Sequence, residues 1–71
     1  MKTKLNRQLL KRLRVERGWT LDRAAVEIGI SRQALHYIER GIVQPRALTL
    51  QHIARTYGVN TAEFYEQQPV A

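Results

Sequence analysis

No cysteine occurs among the 71 residues. That excludes a disulfide framework, a zinc finger or ribbon, and thiol chemistry. No apolar run approaches the roughly 18 residues of a membrane span, and no charged-then-apolar start resembles a signal peptide. The expectation is a cytoplasmic protein with no membrane attachment. Linkers rich in Gly and Ser, low-complexity tracts and internal repeats are missing as well. His36 and His52 are far apart and neither sits in a ligand cluster, so no metal site is expected. His36-x-x-Glu39 brings an imidazole and a carboxylate onto adjacent turns, but no nucleophile or pocket accompanies them. No phosphate-cradling glycine loop is present either. A core this small is nearly all needed to hold the fold, so no enzyme, cofactor or small-molecule ligand is expected.

What is there is ordinary globular composition, with 44% hydrophobic and 25% charged residues. The length fits a single domain over 1–71. Twelve Lys and Arg oppose six Asp and Glu, a net charge of +6. The excess is uneven. Lys2, Lys4, Arg7, Lys11, Arg12, Arg14 and Arg17 crowd the first 17 positions against Glu16 alone, whereas residues 47–71 hold Arg55 against Glu63 and Glu66. Such asymmetry points to a polyanionic partner, nucleic acid or an anionic membrane surface.

Gly18, Gly29, Gly41, Pro45, Gly58 and Pro69 cut the chain into segments of about 10 to 12 residues, which read as helices. The first covers 6–17, with Leu5, Leu9, Leu10 and Leu13 on one arc of about 140°. Thr20 caps a second helix to Ile28, whose narrow apolar face is Ala24, Ala25 and Ile28. Gly29 suits a left-handed turn, and Ser31 caps a third helix that ends before Gly41. On it Ala34, Leu35 and Ile38 face inward, while Arg32, Gln33, His36, Tyr37 and Arg40 occupy a polar arc. A fourth helix runs over 47–57, with Ala47, Leu50, Ile53, Ala54 and Tyr57 inward. A short fifth, over 61–67, offers Phe64 and Tyr65. The expected fold is an all-α bundle of five short helices, with frayed ends at 1–5 and 68–71.

Residues 20–40 carry the motif. Two short helices meet across Gly-Ile-Ser, with small Ala25 near the crossing and Leu35 and Ile38 anchoring the second helix. The run GWTLDRAAVEIGISRQALHYIERG resembles the Cro/phage-repressor (lambda-repressor-like, XRE-type) family of helix-turn-helix DNA-binding domains. The likeness extends from Leu9 to Phe64 and includes the IARTYGVNTAEFY segment.

The resemblance implies that the third helix lies in the major groove. Arg32, Gln33, His36 and Tyr37 match the base-contacting positions, with Ala34 alongside. Arg suits guanine O6/N7 and Gln suits adenine N6/N7, each through a bidentate pair. Thr20, Ser31, Arg40, Gln44 and Arg46 match phosphate-contacting positions. Arg14 and Glu39 match an internal salt bridge, which removes Arg14 from the DNA-facing charges. Lys11 and Arg12 read as solvated. Lys2 and Lys4 fit two readings, an arm that tracks phosphates or solubilising charge.

The sequence also departs from the family pattern. Leu21 stands where relatives carry Gln, and Ile42 and Val43 stand where Lys or Arg is common. Leu48 lies about 160° from the inward arc of the fourth helix. Leu21, Ile42, Val43 and Leu48 are therefore candidates for a partner surface.

The expected function is sequence-specific binding of double-stranded DNA by a transcription regulator, such as a phage-type repressor, a restriction–modification controller or an antitoxin. A homodimer on a palindromic operator is the expected working form. Two alternatives stand beside it: a protein-interaction module on the same fold, or nonspecific binding through the basic N-terminus.

Overall fold

The structure is a computed structural model and describes residues 5–65. The expected arm at Lys2 and Lys4, the end of the fifth segment at 66–67 and the frayed tail at 68–71 lie outside the described residues.

Helix α1 spans Arg7–Glu16 and begins where the Asn6 carboxamide accepts a hydrogen bond from Leu9 N at 3.1 Å. Its leucines do the packing. Leu10 is fully buried, and Leu5, Leu9 and Leu13 lie against the same core. Helix α2 spans Leu21–Ile28 and α3 spans Arg32–Glu39; α4 spans Ala47–Tyr57. Helix α3 packs against α2 and α1, while α4 packs against α2. The α4 contribution to the core is Leu50, Ile53, Ala54 and Tyr57.

Three expectations are corrected. The fifth segment is not an α-helix but a single 3-10 turn over Thr61–Phe64, so the described residues form four α-helices. Asn60 Oδ1 accepts from Ala62 N at 2.9 Å, and Glu63 reaches back to Asn60 N at 3.1 Å. With i→i+3 bonds from Glu63 N to Asn60 O and from Tyr65 N to Ala62 O, the turn closes after one revolution. Ala47 is exposed rather than inward. It sits on the apolar stripe of α4 but at the first residue, beyond the reach of the core. Leu21 is half-buried against the core rather than outward. With Ala24, Ala25 and Ile28 it completes an i, i+3, i+4, i+7 stripe.

The last turn also closes the molecule. Phe64 is fully buried, and its carbonyl accepts from Asn6 N at 2.7 Å.

Candidate nucleic-acid interface

Two helix N-termini and one helix face make the candidate surface. Thr20 Oγ1 accepts from Arg23 N at 3.1 Å and Ser31 Oγ accepts from Ala34 N at 3.0 Å, so each starts its helix cleanly. Both residues are exposed. Between the helices Gly29 has φ +95°, a left-handed conformation that other residues adopt only with strain. Gly29 N and Ile30 N both return to Ala25 O, at 2.8 and 3.0 Å, and this turn sets the direction of α3.

Leu35 and Ile38 bury one side of α3. On its other side Arg32 and Gln33 are exposed, and His36 and Tyr37 are half-buried. These side chains are already engaged. Arg32 Nε lies 3.2 Å from Asp22 Oδ1, which ties the first turn of α3 to that of α2. Gln33 Nε2 donates to the Tyr37 hydroxyl at 2.7 Å, one turn along. The His36 and Tyr37 rings stand 6.0 Å apart with their planes tilted by 43°. Arg40, Gln44 and Arg46 are exposed beside this face, on the segment leading from α3 to α4.

Behind the face lies an ion pair. Arg14 Nε and Nη2 donate to the two Glu39 oxygens at 2.8 and 3.0 Å, and Nη1 donates to Trp19 O at 3.0 Å. One guanidinium thus holds α1, α3 and the residue before the α2 cap in a fixed relation. The two side chains are only 13% and 6% exposed. Burial pushes the nearby Tyr57 hydroxyl up to about 12, and the Glu39 charge pushes the same way.

A helix-turn-helix family model, HTH_3, matches residues 10–64. The chain belongs to this helix-turn-helix family. It is 42% identical over 55 residues to the HTH-type transcriptional regulator SutR of Escherichia coli (strain K12), a stretch that is 78% of this chain and 31% of that protein. It also superposes on an HTH_3 family transcriptional regulator from Vibrio cholerae with a TM-score of 0.75 and 37% identity, over 84% of this chain and 34% of the other. The chain spans about a third of the length of both relatives.

Within this helix-turn-helix domain the basic residues divide by their contacts. Arg17 donates to Tyr57 O at 2.9 Å and lies 5.0 Å from the centroid of the Tyr57 ring and 5.6 Å from that of Trp19. Arg23 lies 5.2 Å from the centroid of the same indole and pairs with Glu27 at 2.8 Å. Lys11 and Arg12 are exposed, Arg12 at 3.9 Å from Glu16. Arg7, one of the N-terminal basic residues, turns to the end of α3. Its guanidinium donates to the Arg40 carbonyl and lies against Gly41, so α1 closes the C-terminal end of α3. Neither Arg7 nor Asp22 carries a sequence signal for its contact, because each meets a partner on another element.

Among the described residues no group of three His, Cys, Asp or Glu side chains is placed to hold a metal ion. No described helix is long and apolar enough to cross a membrane.

Proposed function

We propose that this chain is the DNA-binding part of a transcription regulator that reads duplex DNA with α3. Arg32, Gln33, His36 and Tyr37 contact base edges in the major groove. Thr20, Ser31, Arg40, Gln44 and Arg46 hold the flanking phosphates, with backbone N–H groups of the two capped helix starts alongside. The observation that carries this reading is the polar, solvent-facing side of α3 beside two exposed helix caps. A single domain makes few contacts, so two copies act on half-sites about one DNA turn apart. The domain works in the cytoplasm as a binding protein and not as a catalyst.

Selection of bound duplexes from a random pool tests the reading. A symmetric consensus with half-sites one turn apart is the expected outcome. Recovery of no consensus, with affinity for all duplexes falling together as salt rises, would leave only nonspecific polyanion binding.

A second reading concerns the opposite chemistry. Ile42, Val43 and Leu48 are 62%, 45% and 63% exposed. Ile42 and Val43 lie on the segment between α3 and α4, and Leu48 lies in the first turn of α4. This region is the proposed contact between protein copies.

A further inference from the structure

Arg32 is the cation of the proposed DNA face that a carboxylate already holds. Among the described residues, neither Arg40 nor Arg46 has a carboxylate partner. The Arg32–Asp22 pair is poorly suited to stabilising the fold. Its side chains are 62% and 76% exposed, and pairs so exposed contribute little to stability.

Its position is more informative. Asp22 lies in the first turn of α2, two residues beyond the exposed Thr20 cap. A carboxylate there favours the helix start but repels a phosphate brought near it. Asp22 engages the Arg32 Nε and leaves the Nη1 and Nη2 donors of the guanidinium for other acceptors. An arginine without such a partner is free to reach a phosphate as well as a base, and a phosphate contact carries no sequence information.

We propose that Asp22 is a specificity-determining positioning residue. It holds Arg32 off the phosphate backbone and presents the remaining guanidinium edge to a base, so binding to arbitrary DNA falls and discrimination rises. The inference rests on the reading of α3 as the base-reading helix.

The test uses a duplex selected from a random pool and a random-sequence duplex of equal length, titrated from about 50 to 200 mM salt. The proteins are wild type, Asp22→Asn, Asp22→Glu, Arg32→Ala and the Asp22→Asn/Arg32→Ala double variant. Asp22→Asn is expected to bind the random duplex about 3- to 10-fold tighter at low salt, the size of one surface ion contact. Its plot of log affinity against log salt steepens by about 0.9, as one more phosphate contact requires. The preference for the selected duplex falls by at least the same factor. Asp22→Glu keeps the wild-type slope, and in the Arg32→Ala background Asp22→Asn no longer changes it.

An Asp22→Asn variant with wild-type slope and preference overturns the inference. So does an equal gain in affinity when Arg32 is absent, because the effect is then net charge alone. Wild type without any sequence preference overturns the reading of α3, and this inference with it. Wild type with a preference that Asp22→Asn leaves intact overturns the inference alone.

Discussion

Arg14 and Glu39 face each other across α1 and α3 with both guanidinium–carboxylate bonds formed, at 2.8 and 3.0 Å, nearly out of contact with water. Removing either partner strands the other as a buried charge, which costs about 3–5 kcal/mol. In a domain of this size that is a large share of the total stability. Urea unfolding of Arg14→Ala and Glu39→Ala checks this. Either variant within about 1 kcal/mol of wild type would show the pair to be dispensable. Arg14→Met combined with Glu39→Leu is expected to recover much of the loss.

Replacing Arg32 or Gln33 with Ala is expected to relax preference at one base position and cost roughly 1–3 kcal/mol in affinity. Arg46→Ala is expected to weaken binding to all duplexes alike and flatten the salt dependence by about one contact. Competition binding with a panel of single-base variants separates the two patterns. Full retention of specificity in both α3 variants would reassign the reading surface.

Tyr57 links stability to alkaline pH. Its hydroxyl is pushed from 10.0 up to about 12 in the folded state, chiefly by burial. The unfolded chain therefore loses this proton first. Stability is unaffected below about pH 10 and falls as pH rises from there toward 12, because deprotonation favours the unfolded state. Tyr57→Phe is expected to remove this decline. At neutral pH the same substitution is neutral or slightly stabilising, since the buried hydroxyl oxygen has no hydrogen-bond partner. Urea unfolding between pH 8 and 11.5, values chosen to bracket the ordinary tyrosine range near 10, reads both effects.

Two glycines with similar backbones differ in their surroundings. Gly29 and Gly41 have φ of +95° and +77°, so alanine at either is strained by roughly 1–3 kcal/mol. A Cβ at Gly29 meets open space, whereas at Gly41 it comes within 3.0 Å of the Arg7 side chain. Gly41→Ala is expected to cost more than Gly29→Ala, and Arg7→Ala is expected to remove the excess. Thermal unfolding of wild type, Gly29→Ala, Gly41→Ala, Arg7→Ala and the Arg7→Ala/Gly41→Ala double variant measures the difference.

Leu48 is 63% exposed, so Leu48→Asp is expected to change stability by no more than about 0.5 kcal/mol. Sedimentation equilibrium then tests the apolar contact. Self-association of wild type that weakens in Leu48→Asp supports it, and a wild-type monomer with no change in the variant removes it.

The helices were readable because their boundaries are local chemistry. Asn6, Thr20 and Ser31 cap the next few N–H groups, and Gly29 and Gly58 adopt the left-handed conformations that end α2 and α4. Leu21 stands where relatives carry a polar residue, yet its spacing to Ala24, Ala25 and Ile28 packs it against the core. The fifth segment looks helical by composition, but its described residues form a single 3-10 turn over Thr61–Phe64 whose start Asn60 and Glu63 cap. The charges were the least readable part. A run of basic residues announces a polyanion, yet Arg17 turns to aromatic rings and a carbonyl, and Arg7 to the end of α3. Those contacts join residues 33 and 40 positions apart, which no local pattern encodes.

The hydrogen bond from Asn6 N to Phe64 O brings the two limits of the described chain to one place. The backbone therefore runs as a nearly closed ring. A chain joined here by a short peptide bridge and opened at another exposed turn is expected to keep the same helix neighbours. In such a rearranged chain the order of the helices along the polypeptide changes while the turn between α2 and α3 stays intact. What specifies this surface is the set of contacts among the helices, and not the order in which the chain visits them.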